Sequence, residues 1–297
     1  MAKPNGKEAN VLLAVDVGNT QTSLGAFSDG ALLATWTLTT PERLTADEAF
    51  ETAFTALERM ARRASFDVWN RATGVDASVH ETPSAGALSL DPDLVDDAVI
   101  SCVVPDLAAP WQEALRRLTG RRPLTVGPGI KTGVRMKYRD PAEIGADRMA
   151  DLAALLADYA PPAIVVDLGT TTNFEVVDAE GVFLGGIIAP GMALGARSLA
   201  ARAAKLPVVE IAAPKKVIGT CTREAMQSGV VLGEIARIDG LLGMIEREHP
   251  ADYTVVVTGT DAASIAPLLG HEARADVTLT LRGLARLYAL NRRQIRT

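Results

Sequence analysis

The sequence predicts a duplicated α/β protein, two copies of one unit in which a mixed sheet is flanked by helices. Three observations carry this expectation. Residues 12–27 (LLAVDVGNTQTSLGAF) are echoed by residues 163–177 (AIVVDLGTTTNFEVV), with Asp16 matching Asp167, Gly18 matching Gly169 and Thr20 matching Thr171. Each echo opens with an uninterrupted apolar run, as a strand buried on both faces requires, and continues through two tight turns into two further strand-like runs. Helical periodicity then occupies most of the remaining chain. A β-meander opening each half is the mark of an internal repeat.

In the first half the second turn is Ser28-Asp29-Gly30, and a third strand follows at 31–38. Residues 46–64 predict a helix, with Phe50, Phe54, Leu57 and Met60 at helical spacing. Residues 66–93 show no clear period and are expected to be a loop insertion. A strand at 98–104 is ended by Pro105, and Gly127-Pro128-Gly129 marks the approach to a junction between domains at 8–130 and 131–297. A helix is expected at 148–159, ahead of the second meander, with its apolar face at Leu152, Leu155, Leu156 and Tyr159. Its meander turns at Ala179-Glu180-Gly181 into a third run at 182–188. Residues 222–248 read as one long helix carrying Gly229, Gly233 and Gly240. Those glycines lower helix propensity, which implies close packing against another backbone. An apolar run at 254–257 precedes Thr258-Gly259, which could pass under an adenine or be an ordinary strand–helix joint. A helix at 283–291 closes the chain and is expected to return to the first domain.

Composition narrows the functional classes. The chain has 297 residues, 48% apolar and 22% charged, which excludes wholesale disorder. Its 30 basic and 36 acidic side chains leave a net charge of −6, and no basic stripe is present, so no nucleic-acid partner is expected. Cys102 and Cys221 stand far apart without zinc-type spacing. The start of the chain is polar, and no run approaches the ~20 apolar residues of a membrane span. A cytoplasmic protein with no membrane partner is expected. His80, His249 and His271 are unclustered, and Trp36, Trp69 and Trp111 read as packing residues.

The chemistry concentrates in the turns. A strand-end turn of the form Asp-x-Gly followed by Asn and Thr exposes several backbone N–H groups in a small space. Hydroxyls of Thr20 and Thr22, or of Thr170 to Thr172, add donors suited to phosphate oxygens. The leading Asp can hold magnesium, usually through water. Each turn taken alone is also an ordinary polar hairpin, but two matched copies favour the phosphate reading. A third element, Glu143-Ile144-Gly145-Ala146-Asp147-Arg148, lies where a helix begins. Asp147 there either complements the helix dipole or serves as a general base, with Arg148 orienting an anionic group. Tyr138 is by default a core or surface tyrosine.

With these residues assembled, the chain resembles the type III pantothenate kinases of the acetate and sugar kinase/heat-shock/actin superfamily. The resemblance rests on DVGNTQTS (16–23), ISCVVP (100–105), VGPGIKTG (126–133), DPAEIGADR (140–148), DLGTTT (167–172), LGGIIAPGM (184–192), KLPVVEI (205–211), IGTCTREAMQSG (218–229) and IDG (238–240). It implies duplicated ribonuclease H-like (actin-like ATPase) domains and ATP-dependent phosphorylation of pantothenate, the first step of coenzyme A synthesis. Carried over by position, Asp16, Val17, Gly18, Asn19, Thr20, Gln21, Thr22 and Ser23 contact the ATP phosphates, with Asp16 near Mg²⁺. Asp147 is the proton acceptor. Tyr138, Gly145, Ala146, Asp147 and Arg148 contact pantothenate. Asp167 binds a monovalent cation, K⁺ or NH₄⁺, and Thr170 touches ATP. Thr222 completes a pantothenate site built at a homodimer interface.

Four positions depart from the family pattern: Asn173 and Glu175 stand for Thr and Asp, Ala203 for Thr, and Thr260 for Gly. They leave two other readings: a superfamily kinase for another small molecule, or a catalytically weakened paralogue that binds ligand and acts through a partner. The retained Asp147 argues against the weakened form; Asn173 and Thr260 argue for it.

Overall fold

The computed structural model describes residues 11–73, 95–202 and 209–295. The described chain divides into two compact units. The first comprises the residues up to Thr132, residues 145–150 and those from Leu281 onward; the second comprises 133–144 and 151–280.

In the first unit, β1 (Val11–Val17), β2 (Gln21–Ser28) and β3 (Ala31–Thr39) form an antiparallel meander. Helix α1 (Ala46–Thr73) follows, entered through a reciprocal cap. The Thr45 backbone N–H donates to the Glu48 carboxylate at 2.8 Å, and the Glu48 N–H donates to Thr45 Oγ1 at 3.2 Å. β4 (Val95–Cys102) then runs parallel to β1, and α2 (Pro105–Thr119) begins with Pro105 in its first turn, where a missing N–H costs nothing. β5 (Leu124–Thr125) pairs parallel to β4, giving the sheet order β3-β2-β1-β4-β5. Leu13, Val15, Leu24, Leu57, Met60, Ile100, Leu107 and Trp111 fill the core between this sheet and its helices.

The second unit repeats that plan. β6 (Arg135–Met136) and a 3₁₀ turn (Pro141–Glu143) precede α3 (Ala146–Asp158), whose first turn belongs to the first unit. β7 (Ala163–Leu168), β8 (Thr171–Val177) and β9 (Val182–Pro190) form the second meander. α4 (Met192–Arg202), α5 (Thr222–Gln227), α6 (Gly233–Glu248), β10 (Thr254–Gly259), α7 (Ala262–Ile265), β11 (Ala273–Ala275) and α8 (Leu279–Ile295) complete the chain. β10 lies parallel to β7 and to β11, so the order is β11-β10-β7-β8-β9-β6. Without the short β6, the two sheets have one topology: β1 corresponds to β7, β2 to β8, β3 to β9 and β4 to β10. This is the duplicated, mixed-sheet α/β fold that the echo predicts.

Several expectations are corrected. α1 continues to Thr73, so 66–73 is helical rather than loop; the rest of the expected insertion lies outside the described residues. The strand expected at 98–104 starts earlier, at Val95, and ends at Cys102. The helix expected over 222–248 is interrupted by a π turn, Ser228–Leu232, between α5 and α6. No backbone among the described residues packs closely against Gly229, Gly233 or Gly240: a Cβ added at any of them meets no described atom within 4 Å. All three are exposed, so helical spacing places them on the solvent side.

α8 does make a close backbone approach in the first unit. A Cβ at Gly283 would stand 1.9 Å from the Ala150 carbonyl oxygen. Tyr288 Oη donates to Asp97 at 2.6 Å, and Asn291 bonds the Lys131 backbone at both its N–H and its carbonyl.

In the second unit Asp239 of α6 clasps the segment entering β11. It accepts hydrogen bonds from the Gly270 N–H at 2.8 Å and the His271 N–H at 3.1 Å, and pairs with His271 Nδ1 at 2.7 Å. Burial pushes its pKa up, but the Gly270 amide and the His271 ring and amide outweigh this and hold it below the ordinary value. The unfolded carboxyl titrates at ~3.9. The clasp's stabilisation is therefore complete above about pH 4 and is lost as pH falls through the lower folded-state pKa. Asp239→Asn is expected to lower the melting temperature at pH 7 and to flatten the fall in melting temperature below pH 4, read by thermal unfolding across pH.

Candidate active site

Each phosphate-type turn closes the central strand of its sheet. Asp16 is the penultimate residue of β1, paired with Ser23 of β2 and Ser101 of β4; Asp167 is the penultimate residue of β7, paired with Asn173 of β8 and Thr258 of β10. Directly paired residues share a sheet face, so each carboxylate stands with two short polar side chains at a strand end.

The first turn is one residue longer than the second. The N–H of Thr40, just past β3, donates to the Thr20 carbonyl at 2.9 Å, and the N–H of Gly191, just past β9, donates to the Thr170 carbonyl at 3.0 Å. Val17 pairs with Thr22 and Leu168 with Thr172. Thr20 therefore corresponds to Thr170, not to Thr171, and Thr22 corresponds to Thr172. The exposed Asn19 is the extra residue.

The turns are braced differently. In the first, Thr40 Oγ1 donates to the Gly18 carbonyl at 2.7 Å and lies 2.9 Å from Thr22 Oγ1. Val17 and Thr22 are fully buried, backbone included, so neither meets a phosphate directly. Gly18, Thr20, Gln21 and Ser23 are partly exposed. In the second, Gly191 occupies Thr40's place, and a Cβ there would lie 2.3 Å from the Gly169 carbonyl oxygen. Thr172 Oγ1 donates instead to the buried Glu234 carboxylate at 2.5 Å. Glu234 also pairs with Arg237, whose Nη2 donates to the Pro190 carbonyl at 2.5 Å. Gly259 closes the β10 side with φ +89, and a Cβ on it would stand 2.3 Å from the Leu168 carbonyl oxygen and 2.8 Å from Asp167 Oδ1. Among the described non-glycine residues only Asp29 has positive φ, so Thr260 is accommodated without backbone strain.

Asp147 lies in the first turn of α3, half-buried, in the same compact unit as Asp16. Its Oδ1 accepts the Arg148 N–H at 2.8 Å and folds over residue 145, where a Cβ would be 2.4 Å away. The carboxylate thus occupies space that the absent side chain of Gly145 leaves open, and Arg148 is buried beside it. In the second unit, Tyr138 stacks on Phe183, centroids 5.5 Å apart and planes at 13°. Thr222 opens α5 and is exposed; Thr220, two residues earlier, donates through its N–H and hydroxyl to Glu224.

The donor set suits hard cations. Asp16 Oδ1 is buried at its strand end, and the adjacent Ser101 Oγ is buried with no hydrogen-bond partner. Asn173 Oδ1, opposite Asp167, is likewise buried with no hydrogen-bond partner. Among the described residues no three His, Cys, Asp or Glu side chains form a metal cage. One carboxylate with neighbouring oxygens fits a Mg²⁺ that keeps its waters and is held jointly by phosphates. No described helix is long and apolar enough to cross a membrane.

Sequence reasoning missed Thr40, Gly191, Ser101, Glu234 and Arg237. Thr40 and Gly191 follow the two third strands at equivalent places, which a superposition of those strands would have revealed. Glu234 gave a weaker signal, a carboxylate in the buried stripe Glu234, Ile235, Ile238, Leu242 of α6.

Comparison with known proteins bears on what this arrangement does. The profile of the type III pantothenate kinase family matches residues 12–244. Type III pantothenate kinases of Halalkalibacterium halodurans and Moorella thermoacetica are each 35% identical, over 95% of this chain and 100% of theirs. That of Anaeromyxobacter dehalogenans is 36% identical over the same shares. A solved structure from Campylobacter jejuni, described as a Baf family transcriptional activator, has TM-score 0.51 at 17% identity, covering 95% of this chain and 99% of its own. It shows a shared fold. The matches to both turns and to the start of α3 run through one continuous, full-length similarity, and the chain belongs to the type III pantothenate kinase family.

Proposed function

We propose that this protein is a cytoplasmic kinase that transfers the γ-phosphoryl group of ATP to the terminal hydroxyl of pantothenate, opening coenzyme A synthesis. The observation that carries this reading is the Asp147 carboxylate, held over Gly145 at the start of α3 in a chain of this family. Phosphoryl transfer demands positioning and charge neutralisation more than covalent chemistry. The turn within residues 16–23, accessible at Asn19, Thr20 and Gln21, and Thr170 receive the phosphates in this reading. Asp16 would hold Mg²⁺ through water, and Asp167 a monovalent cation, K⁺ or NH₄⁺; these cations supply the positive charge that a protein of net charge −6 lacks. Asp147 takes the proton from the attacking hydroxyl. Tyr138, Gly145, Ala146, Arg148 and Thr222 surround pantothenate.

The same reading makes the protein a homodimer. Gly229, Gly233, Ala236, Gly240 and Met244 are all exposed at helical spacing across the π turn and α6. Each glycine inside a helix costs roughly 0.5–1 kcal/mol relative to alanine, which close approach of a second chain would offset. Val217 and Ile218, just before α5, are 73% and 82% exposed, and Ile188 is 63% exposed. A partner on this face would cover apolar area beside Thr222.

Two outcomes test the reading. Asp147→Asn should lower kcat by ~10²–10⁴ while leaving the KM for ATP and the melting temperature unchanged, measured by ADP release. Unchanged kcat would remove Asp147 from proton transfer. Gly240→Leu should convert a dimer to a monomer by sedimentation and raise the KM for pantothenate. A dimer that persists would place the interface elsewhere.

A further inference from the structure

We propose that Glu234 and Arg237 are positioning residues that fix the second turn for its nucleotide, replacing by an ion pair the threonine brace of the first turn. The inference rests on the reading that Thr170 contacts ATP.

The argument starts from the repeat. In the first turn one residue beyond the meander, Thr40, does three things. Its N–H bonds the Thr20 carbonyl, and its hydroxyl bonds the Gly18 carbonyl and meets Thr22 Oγ1. In the second turn the backbone bond is kept, Gly191 N–H to the Thr170 carbonyl, but glycine brings no hydroxyl. Nor is there room for one, since the Gly169 carbonyl oxygen lies 2.3 Å from where its Cβ would be. Thr172, the counterpart of Thr22, is 1% exposed, and its hydroxyl needs another acceptor.

α6 supplies it. Glu234 is 4% exposed and sits on the stripe that faces the second core. A carboxylate there is costly to desolvate unless it is paired and hydrogen-bonded. It has both partners, the Thr172 hydroxyl and the Arg237 guanidinium three residues on. The same guanidinium nitrogen reaches the Pro190 carbonyl, one residue before Gly191. One ion pair therefore holds both sides of the turn, Thr172 at the start of β8 and, through Pro190 and Gly191, the Thr170 carbonyl. The π turn just before α6 sets which helix face carries Glu234. Such turns recur near functional sites. In the first unit the brace comes instead from Thr40, within the meander itself.

The test compares Glu234→Ala, Glu234→Gln and Thr172→Val with Thr170→Val in the full-length enzyme. Measured for each are kcat, the KM for each substrate, the melting temperature, and amide hydrogen exchange over 169–173. Glu234→Ala and Thr172→Val should each raise the KM for ATP about 10- to 100-fold and speed exchange at 169–173, with the KM for pantothenate unchanged. Their double variant should be no worse than either alone. Glu234→Gln, which can still accept from Thr172, should fall between. A lowered melting temperature with unchanged ATP KM and unchanged local exchange would overturn the positioning role. Thr170→Val with an unchanged ATP KM would instead overturn the nucleotide reading, leaving the exchange data to judge the brace.

Discussion

A strand hydrogen-bonded on both edges and buried on both faces can meet solvent only at its ends. β1 and β7 are such strands, each antiparallel to one neighbour and parallel to another. Their bodies must be apolar, and polar chemistry is confined to the turn where each stops. The first aspartate of each turn is therefore fixed between two short side chains of adjacent strands. The chain reverses past the glycine two residues on, and amides and hydroxyls are left at the sheet's end. The sheet orders, the matching turns and the carboxylate positions all follow from that one constraint, applied twice.

The two copies have drifted apart in how they hold their turns. The first has an extra residue, Asn19, and a threonine that braces the loop from within its own meander. The second is shorter, tolerates only glycine at 191 and 259, and borrows its brace from α6. Such drift suits different tasks. A turn with an exposed extra residue has more freedom to adapt, whereas one clamped between close backbones and an ion pair is pre-organised. Asp147 is arranged by a similar economy of space, its carboxylate lying where the missing side chain of Gly145 leaves room.

The fold was legible where periodicity and turn chemistry agreed. The apolar runs of β1 and β7, the Asp-x-Gly turns and the meanders were visible as text, and the family resemblance was visible in motifs spread along the whole chain. Register was not: Thr20, Thr170 and Thr171 are the same residue type, and letters alone cannot say on which side of a threonine a turn has gained a residue. The helical period fades past residue 64, so the end of α1 was hidden. The glycines of the π turn and α6 implied close packing against another backbone, but sequence shows that a glycine saves space without showing whose space it saves. Glu234 looked like any helix carboxylate until burial showed it on the core stripe.

The most direct test of this account is ADP release by the purified full-length protein with ATP, Mg²⁺ and pantothenate, with and without K⁺. The account predicts turnover that requires pantothenate and rises with K⁺, the first reporting the acceptor and the second the cation at Asp167. A folded dimer that releases no pantothenate-dependent ADP at millimolar ATP would contradict it, and would mean that the altered second turn, with Asn173 and Glu175, no longer supports transfer.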